Sequence, residues 1–243
     1  MTAARPSLRA LFFDVDDTLF RTTDFAQEAR RQAVEAMCAR GLRTPPDEVL
    51  EVLAQVVAEF GSNDDHHFDR VLVRLGPEAT RGTNLDLLVV AGVIAYHETK
   101  WRRLRIDPAA RELLCDLAGT DLRLGIVSAG LARKQMEKIL RLGLDEFVDP
   151  ALIFVTDRVG IAKSNPLLYR RAAEAAGARP AEAMHVGDHP EHDVTSAGAA
   201  GLRTVWHRAG RHAENVPSRV PDHEIAAFPE LRSILREHYG IPV

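Results

Sequence analysis

The stretch Ala10-Leu-Phe-Phe-Asp-Val-Asp-Asp-Thr-Leu-Phe20 sets an apolar run directly against three carboxylates within four positions. Like charges that close repel, and a neighbouring carboxylate or a dry setting raises each pKa. Either a solvated acidic turn or a bound cation with a reaction beside it offsets that cost. In extended backbone, side chains two apart point the same way, so Asp14 and Asp16 share a face that Asp17 leaves. On that face the pair can flank one reacting atom, one acid as nucleophile and the other as proton donor. A calcium-binding loop also opens on spaced aspartates. Here Thr18 and Leu19 follow, with no glycine and no closing glutamate, so that reading fails.

Further strand-length apolar runs end at Ser128, Asp157, Asp188 and near His207. Helical patterns follow over Ala132–Leu142, Pro166–Ala176 and Asp193–Ala200. Alternating strand and helix predicts an α/β fold, a doubly wound Rossmann-like parallel sheet with helices on both faces. Ligands sit beyond the carboxyl ends of such strands, so polar residues at those ends should meet in one crevice. The interval after the first strand differs. It reads as helices over Asp24–Arg40, Pro46–Phe60, His66–Leu75 and Leu85–Leu104, an inserted all-helical subdomain and not a crossover. The expected division is a Rossmann-like core of residues 1–19 and 106–243 and a helical domain of residues 20–105. The tail from Val216 to Ile225 reads as a loop into a short edge strand, followed by a helix through His238.

A formal charge of −4 over 243 residues argues against a nucleic-acid binder or a membrane-surface protein. Cys38 and Cys115 form no metal or redox motif and read as reduced thiols of a cytoplasmic protein. Arg5 and Arg9 before the apolar run faintly imitate a signal peptide, but the run stops too soon, at Asp14. No apolar stretch is long enough to span a membrane.

Three more motifs carry chemistry. In His185-Val-Gly-Asp-His-Pro-Glu-His-Asp193, Asp188 ends a strand where the ligand crevice is expected. Asp193 lies near a helix start, where capping or the helix dipole would explain it. A hard cation such as Mg2+ takes a few carboxylate oxygens and keeps several waters, a requirement met by Asp14, Asp188 and the backbone carbonyl of Asp16. Ser128, before Ala129-Gly130, can hold anionic oxygens through its hydroxyl and nearby amides, though alone it reads as a turn serine. Lys163 weighs more because lysine is scarce, four of 31 basic residues. It can neutralise a transferring group; the alternative is a solvated lysine in a Pro-containing loop.

In chain order, Asp14 with Asp16, Ser128, Lys163, and Asp188 with Asp193 resemble the four motifs of the haloacid dehalogenase-like hydrolases, and the insertion resembles the helical type 1 cap domain of that superfamily. The resemblance implies Asp14 as nucleophile and Asp16 as general acid and base. It further implies Ser128, Ala129 and Lys163 on the phosphoryl group, Asp14, Asp16 and Asp188 on Mg2+, and Asp193 supporting Lys163 or the metal shell. Gly92–Lys100, Lys134–Phe147 and Thr204–His212 are similar to an archaeal-type subgroup described as glyceraldehyde 3-phosphate phosphatases. The implied activity is Mg2+-dependent hydrolysis of a small phosphorylated metabolite through an aspartyl-phosphate, by a monomer or homodimer without nucleic-acid or membrane partners. The second aspartate argues against dehalogenation; a phosphomutase or a receiver-like signalling domain are the alternatives. Asn63, His66, His67, Tyr96, His97 and Lys100 are helical-domain residues able to face a substrate, each with a packing or surface role as its plainer reading. A metal site at Asp64–Asp69 is disfavoured because adjacent histidines on a helix point apart.

Overall fold

The computed structural model describes residues 6–62, 64–209 and 212–243. The chain forms two compact units, Met1–Arg21 with Arg105–Val243, and Thr22–Leu104. After β1 (Ala10–Phe13) come the helices of the second unit, α1 (Thr22–Ala39), α2 (Pro46–Phe60), α3 (His67–Leu75) and α4 (Leu85–Arg103). The first unit resumes with α5 (Pro108–Leu117), β2 (Arg123–Ser128), α6 (Ala132–Leu142), β3 (Ile153–Val155), α7 (Thr156–Val159), α8 (Pro166–Ala175) and β4 (Ala183–Gly187). A π-helical segment, Pro190–Ser196, leads into α9 (Ala197–Ala200), followed by β5 (Arg203–His207), β6 (His223–Ile225) and α10 (Phe228–Tyr239).

The sheet of the first unit is parallel throughout, in the order β3-β2-β1-β4-β5-β6. This is a doubly wound α/β fold, and its strand order reverses direction between β1 and β4. Ligands of such sheets bind at that switch point. Phe13, the last residue of β1, pairs with Ile126 of β2 and Val186 of β4, and the Asp14 amide donates to the Val186 carbonyl at 2.9 Å. The ends of three neighbouring strands, and the polar residues there, are thereby levelled. All four β1 residues are buried, as a central parallel strand requires. Phe12, Val127 and Leu152 pack against Leu168, Tyr169, Ala172 and Ala173, the inward stripe of α8.

The second unit is built only of helices. Met37, Val49, Leu53, Val56, Phe68, Val71 and Leu88 form its core. Asn84 caps α4 by accepting from the Leu87 amide at 3.1 Å.

Three expectations need correction. The apolar run ending at Asp157 is not one strand. Pro150–Leu152 forms a 3-10 turn capped by Asp149, which accepts from the Ala151 amide, and Thr156 already opens α7. The segment expected as a helix from Asp193 is a wider π-turn beginning at Pro190, and its cap is His189, whose Nδ1 accepts from the Glu191 and His192 amides at 3.2 Å. Finally, α5 has no counterpart among the expected elements, although Asp107 caps it and Pro108 starts it. No helix among the described residues is long and apolar enough to cross a membrane.

The π-turn is tied to the core by Tyr169, which is fully buried and donates from Oη to the His192 carbonyl at 2.7 Å. Tyr169→Phe keeps the ring and removes this bond, so urea unfolding should show a loss of about 1 kcal/mol. An unchanged midpoint would show that the bond does not hold the turn.

Candidate active site

Asp14, Lys163, Asp188 and Asp193 are each no more than 5 % exposed, too deep for unpartnered charges. Asp14 follows β1, Asp188 follows β4, and Lys163 lies in the turn before α8. Asn165 and Pro166 close that turn, Asn165 accepting from the Leu167 amide at 3.0 Å and Pro166 taking the first helical position. Lys163 Nζ then bridges two carboxylates, 2.7 Å from Asp14 Oδ1 and 2.5 Å from Asp193 Oδ1. Burial pulls against the lysine charge, but the two aspartates outweigh it and push its pKa above the ordinary value.

Asp193 is the most enclosed member. Its Oδ1 also meets His185 Nε2 at 3.0 Å, and its Oδ2 accepts from the His189 amide at 2.9 Å. Burial alone would raise its pKa; Lys163 and then His185 reverse that and hold it ionised. Burial lowers the pKa of His185, so the ring is neutral and donates from Nε2. Its Nδ1 then needs no acceptor, consistent with its having no partner among the described residues. Gly187 makes room for this arrangement, since a Cβ there would lie 2.3 Å from Asp193 Cγ.

Asp188 contrasts with Asp193. No hydrogen bond reaches its carboxylate among the described residues, and burial, with Asp14, Asp193 and Asp17 adding, raises its pKa to about 8. Burial also dominates at Asp14, where Lys163 opposes and Asp193 and Asp16 reinforce the rise to about 7. Carboxylate oxygens of Asp14, Asp188 and Asp193 lie within 4.8 Å of one another. Asp193 has spent both oxygens, so Asp14 and Asp188 keep donors for a cation. An all-oxygen set of this kind fits a hard divalent ion.

Ser128, at the end of β2, is fully buried, and its Oγ has no hydrogen-bond partner among the described residues. Ala129 is exposed, its carbonyl accepts from Gln135 Nε2 at 2.9 Å, and the Gly130 amide donates to Thr156 Oγ1 at 3.1 Å. Asp16 is met by Lys138 and Gln135 of α6, two residues the sequence did not single out. Asp17 takes a left-handed backbone (φ 57°).

In the second unit, His67 Nε2 contacts the Gly61 carbonyl at 2.8 Å and His66 faces Asp69 at 3.7 Å. Tyr96 packs edge-on to Phe68, His97 stacks on Trp101, and Lys100 Nζ lies 4.2 Å over the Trp101 ring. These contacts serve the packing of that unit. Asn63 lies outside the described residues. Among the described residues no cluster of metal-ligating groups forms at Asp64–Asp69, where Asp64 pairs instead with Arg70.

The model of the haloacid dehalogenase-like hydrolases matches residues 8–201. A glyceraldehyde 3-phosphate phosphatase of Methanopyrus kandleri is 39 % identical over 95 % of this chain and 98 % of its own. One from Pyrococcus furiosus is 37 % identical over 96 % and 95 %. The crystal structure of a 2-haloacid dehalogenase from Pseudomonas syringae superposes with a TM-score of 0.63 at 26 % identity, covering 94 % of this chain and 98 % of that one. The chain belongs to the haloacid dehalogenase-like hydrolase family. Within that family it is a phosphatase.

Two measurements check this geometry. Gly187→Ala should displace Asp193 from Lys163 and cost about 1–3 kcal/mol in denaturant unfolding; wild-type stability would contradict the close approach. In chelator, the native chain retains protons on Asp14 and Asp188 that the unfolded chain releases near pH 4, which lowers stability as pH rises to about 8. Burial lowers the pKa values of His185, His189, His207 and His223, which opposes this until unfolded imidazoles have titrated near pH 6.5, so the net fall should lie between about pH 7 and 8. Asp193 acts oppositely, its depressed pKa contributing stability that is lost only at the acid end. A urea midpoint that rises between about pH 7 and 8 would contradict the raised pKa values.

Proposed function

We propose that the chain is a divalent-cation-dependent phosphomonoesterase for a small phosphorylated metabolite, with Asp14 as nucleophile. The observation that carries this reading is the lysine-paired nucleophile flanked by two unsatisfied groups, the Asp188 carboxylate and the Ser128 hydroxyl. Lys163 holds Asp14 in place and offers its charge to the phosphoryl oxygens. Ser128, with the backbone at Ala129, binds those oxygens as well. Asp14, Asp188 and the Asp16 carbonyl would hold Mg2+, which supplies charge neutralisation at the phosphoryl group. Asp193 and His185 keep Lys163 charged and aimed.

Asp14 attacks phosphorus, the ester P–O bond breaks, and Asp16 gives its proton to the departing oxygen. Asp16 then takes a proton from water as that water attacks phosphorus. The bond to Asp14 breaks and inorganic phosphate leaves, restoring both acids. The first unit, expected as residues 1–19 and 106–243, is the catalytic core, and the inserted helices, residues 20–105, are the cap that selects the substrate. Relatives named glyceraldehyde 3-phosphate phosphatases support small phosphate monoesters as the class and make triose phosphates the first compounds to assay.

Phosphate release from a panel of phosphorylated metabolites tests this reading. With Mg2+ the wild type should turn over many times, and Asp14→Asn should lose about 10³-fold or more in kcat while keeping its thermal midpoint. Activity retained in the variant would sink the nucleophile assignment, and activity indifferent to chelator would sink the metal. Isomerised phosphate ester in place of free phosphate would identify a mutase, and a single turnover a phospho-accepting signalling domain.

A further inference from the structure

Gln135 and Lys138 lie three residues apart on α6, on one helix face, and both are buried. Lys138 Nζ donates to Asp16 Oδ1 at 2.7 Å and Oδ2 at 2.6 Å, and Gln135 Nε2 donates to Oδ2 at 2.9 Å. The same Gln135 nitrogen donates to the Ala129 carbonyl at 2.9 Å, in the loop that follows Ser128. The amide has one workable orientation, because a flip would set its oxygen against a carboxylate and a carbonyl, both acceptors. Gly130 is shaped to this side chain: its φ is +128°, and a Cβ there would lie 2.9 Å from Gln135 Nε2.

An exposed ion pair would carry little weight. Here the lysine side chain is 11 % exposed and that of Asp16 28 %. Asp16 stands beyond the end of β1, next to the left-handed Asp17, so the sheet does not fix its side chain. α6 reaches that side chain with three hydrogen bonds. Lysine is also scarce in this chain, and two of its four lysines, Lys138 and Lys163, reach the acidic cluster from different elements.

We propose that Lys138 and Gln135 are positioning residues for the proton-transfer step, orienting the Asp16 carboxylate and tying its placement to the Ser128–Gly130 loop. The proposal rests on the reading of Asp16 as the general acid and base. Since the pair acts through Asp16 and not on substrate, its loss falls on kcat. It also depends on the leaving group: an alkoxide needs a proton as it departs, whereas p-nitrophenolate does not.

Steady-state kinetics on glycerol phosphate and p-nitrophenyl phosphate, for wild type, Lys138→Met, Lys138→Arg, Asp16→Asn and the Lys138→Met/Asp16→Asn double variant, provide the test. Lys138→Met should lower kcat on the alkyl ester about 30-fold, the scale of a small misplacement of a reacting group, with KM within about threefold. In kcat/KM, which covers only the steps through departure of the leaving group, the loss on the aryl ester should be several-fold smaller than on the alkyl ester; Lys138→Arg should recover part of it, and Lys138→Met should add nothing when Asp16 is already Asn. Unchanged kcat, equal losses of kcat/KM on both esters, a rise in KM with kcat kept, or full additivity in the double variant would each overturn the proposal. Wild-type activity in Asp16→Asn would instead overturn the reading of Asp16 itself, whereas an inactive Asp16→Asn beside a fully active Lys138→Met overturns only the clamp. Should Lys138→Met fail to fold, Gln135→Leu carries the same comparison, with the same leaving-group pattern expected at smaller size.

Discussion

One buried ammonium between two buried carboxylates governs this site. Without Lys163, Asp14 and Asp193 would be like charges in a dry place, and one would have to stay protonated. With it, Asp193 is held ionised, and Asp14 has one oxygen held by the ammonium and one available. The rest of the local structure serves that pairing. Gly187 leaves room for Asp193, the π-turn brings Asp193 back over β4, His185 completes its hydrogen bonds, and Asn165-Pro166 ends the lysine turn. Removing one member of such a buried pair leaves the other uncompensated, which makes the motif residues interdependent and not separately tunable.

The sheet converts distance in sequence into contact. Asp14 and Asp188 are far apart along the chain, yet β1 and β4 are neighbours at the point where the strand order reverses, and β2 brings Ser128 from the other side. The helical unit is inserted between β1 and α5, so it enlarges the chain without disturbing that alignment.

Much of this was legible in the sequence because strand ends in a parallel sheet are marked by the switch from apolar run to polar residue. Asp14, Ser128 and Asp188 were found that way, and α2 and α6 have the expected bounds. What escaped notice has physical reasons. His185 lies inside an apolar strand, and nothing in its neighbours tells that its ring faces an aspartate. For Asp193 the position near a helix start suggested a cap, and only the family resemblance pointed to Lys163; the wider π-turn, invisible to a 3.6-residue pattern, turns it inward and leaves capping to His189. Lys138 was passed over although the scarcity that singled out Lys163 applied to it equally. Glu137 and Arg141 beside it are residues of a charged helix face, and periodicity alone does not say which face of α6 meets Asp16.

The central claim is that Asp14, held by Lys163, is the atom donor that bonds to phosphorus. The most direct measurement is borohydride reduction of enzyme quenched during turnover, followed by peptide mass analysis, since an aspartyl-phosphate is reduced to homoserine. Homoserine at position 14, absent without substrate, is the predicted result. Homoserine at position 16, or a phosphoryl group retained on Ser128 with position 14 unmodified, would contradict it.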